Sequence, residues 1–232
     1  MKDIIDAVSS SRRLKIFTAY YAFIYIAICL SLNLIHEYIP FFSSTVGTLV
    51  YKLVDVLIKA PFLYGLIRGI VTKNYHFAEG VASFAEKQNY GAYATYVCVG
   101  MAYEVIALFL SKINFAAISV VVVIMQLLVN YYLVIMYFVA IKDGGRVSLV
   151  KSLDVCIDRF RGKWLNVVSA ELFMFAASFL SLLISSMAAE FLPAHESVSL
   201  ILACINELQY GFLVVTWPIY YLYYYKLVFE EE

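Results

Sequence analysis

Long apolar blocks separated by short charged stretches dominate the chain from Ile16 onward. A helix crosses a ~30 Å hydrocarbon core in ~20 residues, and six blocks meet that length: 16–35, 46–71, 92–111, 115–141, 164–189 and 198–220. The first, fourth and fifth are the clearest. Lys52, Asp55, Lys59 and Arg68 interrupt the second, and Pro61 leaves three readings of it: straight, kinked at the proline, or re-entrant. Blocks of this length do not alternate between apolar and polar positions, as barrel strands must. The pattern predicts an all-α, polytopic integral membrane protein, a single membrane domain over 1–232 with six transmembrane helices.

A short amphipathic stretch precedes the first, third and fifth blocks. These stretches contain Ile5-Asp6-Ala7-Val8, Ala78-Glu79-Gly80-Val81 with Phe84, and Val150-Lys151-Ser152-Leu153 continuing to Phe160. Apolar residues spaced three and four apart lay one helix face on a membrane surface. The chain therefore reads as three units, each a cytoplasmic interfacial helix followed by a transmembrane hairpin. Repeated membrane units often place a site where the repeats meet.

Lys and Arg orient the bundle, because cytoplasmic loops carry the excess of both. One side collects Lys2, Arg12, Arg13 and Lys15, then Arg68, Lys73 and Lys87, then Lys142, Arg146, Lys151, Arg159, Arg161 and Lys163, and finally Lys226; the other side has Lys112. Both termini are expected in the cytoplasm, and the separation supports the interrupted second block. Trp164 and the run Tyr220, Tyr221, Tyr223, Tyr224 and Tyr225 fall at the cytoplasmic ends of the fifth and sixth blocks and read as an interfacial aromatic belt.

Composition sharpens this picture. Of 232 residues, 63% are hydrophobic and 15% charged, with a mean hydropathy of +0.83; soluble domains are about half apolar and about a quarter charged. A soluble enzyme and a disordered chain are excluded, and a net charge of zero leaves no electrostatic footprint for nucleic acid. The four cysteines, Cys29, Cys98, Cys156 and Cys204, form no CxxC pair and read as free packing residues. No cleavable signal is expected, the first span serving as its own insertion signal, and no lipidation motif is present.

Ionisable groups inside a bilayer cost at least ~2.5–3.5 kcal/mol, so each calls for a partner or a function. Lys52, Asp55 and Lys59 lie on one face of the second block, where Asp55 can pair with either lysine. Glu104 sits near the middle of the third block, Glu171 about two turns inside the fifth, and Glu207 near the middle of the sixth beside Asn206. Gln126 and Asn130 share a face of the fourth, and Ser178, Ser181 and Ser185 extend the stripe of Glu171. These polar stripes are expected to turn into the bundle, as hydrogen-bonded glue and ion pairs or as the lining of a conduction path. Gly65-x-x-x-Gly69 is a close-packing motif.

Chemistry beyond this is sparse. His36-Glu37 and His195-Glu196 lie in two outer loops and are weak candidates for a divalent metal, with no third ligand at helical spacing. His76 is alone. No nucleophile elbow, Walker loop, GxGxxG or paired-Asp motif occurs, and Gly144-Gly145 after Asp143 reads as a turn. No enzyme, cofactor or metal is expected.

Three segments carry a family resemblance: Ala60-Pro61-Phe62-Leu63-Tyr64-Gly65-Leu66, the Phe-rich stretch from Phe77 to Phe84, and Ser152 through Arg161-Gly162-Lys163-Trp164. Together they resemble a group of uncharacterised prokaryotic six-span membrane proteins, similar in turn to the membrane domain attached to some glycerophosphodiester phosphodiesterases. The resemblance covers most of residues 55–190. It departs from the group in a longer spacing from Ser152 to Arg161-Gly162 and in Lys163 where Asn is usual. With no phosphodiesterase domain in this sequence, it implies the membrane fold and no hydrolase activity. The expected function is that of an accessory or assembly protein working through lipid or membrane-protein contacts, in a complex or a homo-oligomer. The alternative is a small transporter or channel for protons, cations or a small polar solute, using the intramembrane carboxylates.

Overall fold

A hydroxyl-bearing residue opens each of the first two long helices. In the computed structural model, which describes residues 7–8, 10–113, 116–190 and 217–229, helix α1 runs Arg12–Tyr38. The Ser11 hydroxyl accepts from the Leu14 N–H at 3.3 Å, satisfying one of the orphan donors of the first turn. Pro40 holds Ile39 in extended backbone and ends α1, leading into the 3-10 turn Pro40–Ser43. Ser44 then caps α2, Thr45–Val71, accepting from the Gly47 N–H at 3.0 Å.

Helix α2 runs unbroken through Pro61. Proline removes one backbone bond, leaving the Leu57 carbonyl without its helical donor. Beside it the Tyr137 hydroxyl donates to the Ala60 carbonyl at 2.8 Å, tying α5 to α2 next to the proline. The second block is therefore one continuous helix, Thr45–Val71.

The short helix α3, Phe77–Ala82, and the 3-10 turns Ser83–Ala85 and Lys87–Asn89 lead into α4, Tyr90–Ser111. Helix α5 spans Ala116–Lys142. Helix α6, Leu149–Glu190, includes both the third amphipathic stretch and the fifth apolar block. Sequence reading separates the two, and the structure marks the division by a single non-helical residue, Lys163, at φ −137° and ψ 35°. Residues 217–229 form the last described helix, α7.

All regular structure among the described residues is helical. Three stretches, Arg12–His36, Lys87–Leu110 and Val120–Lys142, are long and apolar enough to cross a membrane. They correspond to the first, third and fourth blocks. Helix α2 has the length, at ~40 Å for 27 residues, but carries four charges. Most of the sixth block lies outside the described residues.

Helices α2, α4, α5 and α6 pack in succession, with α1 against α2. The core is aromatic: Phe17, Tyr21, Tyr64, Tyr137, Phe138 and Tyr224 are fully buried. Gly65 and Gly69 make room for it. A Cβ on Gly65 would stand 2.7 Å from the Tyr21 hydroxyl, and one on Gly69 would strike the Phe17 ring. The close-packing motif is thus used within the chain, between α2 and α1.

Beside this core lies a compact polar knot. The buried Asn89 side chain donates to the Ser83 carbonyl at 2.9 Å and to Glu86 Oε2 at 3.1 Å, and accepts from the Tyr64 hydroxyl at 3.0 Å. Arg68 donates to the same Glu86 oxygen at 2.7 Å. Gly144 and Gly145 form the expected turn after α5 with positive φ of 66° and 91°. The Gly145 N–H donates to the Ala140 carbonyl at 2.7 Å, closing the helix end. A Cβ there would meet Asn89 Oδ1 at 2.6 Å.

Candidate functional site: intramembrane charges around a polar cavity

Among the described residues, the charged groups singled out in the sequence are held in separate local contacts. Lys59 and Asp55, one turn apart on α2, form an ion pair at 2.7 Å. The i,i+4 spacing allows this without strain, so of its two lysine neighbours Asp55 takes Lys59. Lys52 reaches across to α4 and meets Glu104 at 3.3 Å.

Glu171, on the part of α6 beyond Lys163, is only 6% exposed. Two phenols of α7 satisfy it: the Tyr220 and Tyr224 hydroxyls donate to Oε1 at 2.7 and 2.8 Å. Tyr224 also lies 3.2 Å from the Val167 carbonyl. A buried carboxylate without donors is strongly disfavoured, so these phenols are what permits an acid here. In sequence the tyrosine run has the composition of an interfacial belt, and nothing local marks these two as partners of Glu171. Trp217, Tyr220, Tyr221 and Tyr224 are instead buried within the protein. The available signal is the four-residue spacing of Tyr220 and Tyr224, which puts two hydroxyls on one helix face.

Gln126 and Asn130 lie one turn apart on α5 and line a cavity of about 460 Å³. Lys59, Glu171, Tyr25, Tyr96 and Trp217 share its wall. The Tyr96 and Tyr137 rings stack beside it at 5.3 Å, and Lys59 stands 5.9 Å from the Tyr25 ring centroid. The cavity therefore gathers an ammonium, a carboxylate, two amides and several aromatic faces from different helices. It can hold a small polar molecule by hydrogen bonds, although each of the two charges already has its own partner.

Glu207, His195 and Glu196 lie outside the described residues, as does the side chain of Glu37. His36 packs edge-on against the Tyr51 ring at 4.6 Å. No group of three metal-ligating side chains occurs among the described residues. Cys29, Cys98 and Cys156 form no disulfide among the described residues, and Cys156 is buried; Cys204 lies outside the described residues. Cys156 and Glu86 are among the groups perturbed outside the apolar blocks. Burial pushes the Cys156 thiol up to about 12. Burial also acts to raise Glu86, but Arg68, with the Gln88 and Asn89 amides, holds it below the ordinary carboxylate value.

Comparison with protein-family models, curated proteins and solved structures finds no match. What fold and site define is a helical protein with apolar helices of membrane-crossing length and internally paired charges.

Proposed function

We propose that the chain is a six-span protein of the cell membrane, with both termini cytoplasmic, acting as a non-enzymatic accessory or assembly protein through contacts with lipid or with another membrane protein. The observation carrying this reading is the pairing of the charges. Asp55 has Lys59, Glu104 has Lys52, and Glu171 has Tyr220 and Tyr224. An accessory protein can bury its acids in dry pairs as packing elements, whereas a transporter needs them to face a continuous wet cavity. The basic asymmetry along the sequence supports the orientation, and the helical stretches at Phe77–Ala82 and at the start of α6 are consistent with the threefold unit. The resemblance to the six-span group adds the same fold.

A second reading, a small transporter or channel, draws on the cavity lined by Lys59, Gln126, Asn130 and Glu171. The two readings separate in proteoliposomes. With Glu104→Gln and Glu207→Gln, an accessory protein loses thermal stability and shows no flux of protons, cations or small solutes before or after substitution. A transporter shows flux that the substitutions abolish. Native mass spectrometry after gentle extraction supplies the partner: a stoichiometric protein or retained lipid supports the accessory role.

A further inference from the structure

The first fifteen residues of α6, before and including Lys163, form an arm whose apolar side is unusually open. Leu149, Val150, Leu153 and Ile157 are all exposed, as is Trp164 just past the bend. Between this arm and α5 lies a crevice of about 310 Å³. Its wall is apolar and aromatic, with Tyr131, Leu153, Ile157 and Phe160, and its one charged group is Arg161. A second apolar cavity of about 240 Å³ shares Leu128, Tyr131 and Phe160 with the first, and extends along α5 to Ile124. From Tyr132 to Ile124 the two follow α5 for ~12 Å. This slot is too small for a helix, whose diameter with side chains is ~10–12 Å, and has the form of a space for one hydrocarbon chain.

The cation defines the other end. Arg161 has no ion-pair partner among the described residues, although Asp158 lies one turn before it. Arg159 and Lys163 flank it, and the arm's basic residues, Lys151 included, outnumber its acids Asp154 and Asp158. Guanidinium groups match phosphate geometry. Basic pockets between membrane helices at the cytoplasmic face suit anionic headgroups. We infer that the crevice between α5 and the α6 arm is a phospholipid site, taking one acyl chain along Leu128, Tyr131 and Phe160 and an anionic headgroup phosphate on Arg161.

This rests on the membrane reading above and names the lipid class that reading leaves open. The test uses full-length protein in nanodiscs of mixed phosphatidylglycerol and phosphatidylcholine, followed by native mass spectrometry of retained lipid. Wild type is expected to retain one phosphatidylglycerol at several-fold preference over phosphatidylcholine. Arg161→Gln is expected to bring that preference to unity with the apparent melting temperature unchanged, and Asp158→Asn to increase it. Leu153→Trp, which fills the crevice, is expected to abolish retention of that lipid, whichever headgroup it carries. Equal retention of the two lipids by wild type, or an undiminished preference in Arg161→Gln, overturns the site while leaving the membrane reading intact. Release of the protein from membranes by alkaline carbonate overturns both.

Discussion

The Tyr64 hydroxyl donates to Asn89 Oδ1 at 3.0 Å, joining α2 to the 3-10 turn that leads into α4. Asn89 is 1% exposed and also holds Ser83 and Glu86. Asn89→Ala strands the buried Tyr64 phenol and also removes one donor each from Glu86 and from the Ser83 carbonyl, which keeps the Tyr93 hydroxyl at 2.8 Å. A stranded buried polar group costs ~1–3 kcal/mol, whereas losing one ordinary hydrogen bond costs ~1 kcal/mol. Asn89→Ala is therefore expected to lower the apparent Tm clearly more than Tyr64→Phe. Thermal unfolding in detergent checks this, and equal effects would remove Asn89 from its central position.

The Glu171 cluster makes a prediction of opposite character. Tyr220→Phe with Tyr224→Phe leaves a buried carboxyl without either phenol donor. That double variant is expected to lose ~1–3 kcal/mol. Adding Glu171→Leu removes the stranded group, and an apolar replacement of a whole buried polar cluster is often neutral. The triple variant is thus expected to recover most of the loss in the same melting assay. If the triple variant is no more stable than the double, the phenols are not what satisfies Glu171.

Helical class, and the first, third and fourth blocks as stretches of membrane-crossing length, were legible because apolar length is a property of the sequence alone. The helix start was not: the Ser11 cap opens the first helix at Arg12, ahead of the apolar block that begins at Ile16, because a cap is hydrogen-bond chemistry and not apolar length. The pairing choices were not legible. Asp55 has lysines at three and four residues' distance, and only the arrangement of α4, which brings Glu104 to Lys52, decides which it takes. The tyrosines at 220 and 224 have the composition of an interfacial belt, and it is the buried acid of another helix, 49 residues away from Tyr220, that gives them a different role. Long-range complementarity of this kind has no local signature.

Glu86 gives the stability a pH dependence of defined sign. Its carboxyl lies below the ordinary value of 4.5 in the folded protein, because Arg68 and two amides outweigh the effect of burial. A depressed carboxylate contributes stability fully present above its unfolded pKa and lost as pH falls through the folded one. The difference in apparent Tm between wild type and Glu86→Gln is expected to be constant above about pH 5.5 and to shrink as pH drops below about 4.5. A difference that persists unchanged at pH 3 would show that the Arg68–Glu86 contact is not charge-assisted.

Cys156 lies in the middle of the α6 arm, buried against α5, where the Tyr131 hydroxyl donates to its carbonyl at 3.1 Å. The thiolate is the nucleophile toward alkylating reagents. With its pKa pushed by burial from 9.0 to about 12, Cys156 holds roughly a thousandfold less thiolate near neutral pH than an ordinary thiol. Access is restricted as well. In a variant keeping Cys156 as the sole cysteine, labelling by a water-soluble maleimide at pH 7.5 is expected to be at least a hundredfold slower than at a cysteine placed at the exposed Lys87. The rate should rise with pH throughout the stable range, since the thiol is far from saturation as thiolate. Leu153→Ala thins the crevice wall beside it and is expected to speed the reaction by improving access while preserving that pH slope. Labelling as fast as the Lys87→Cys control would place the arm away from α5 in the membrane-bound protein, and the crevice between them would not exist in that state.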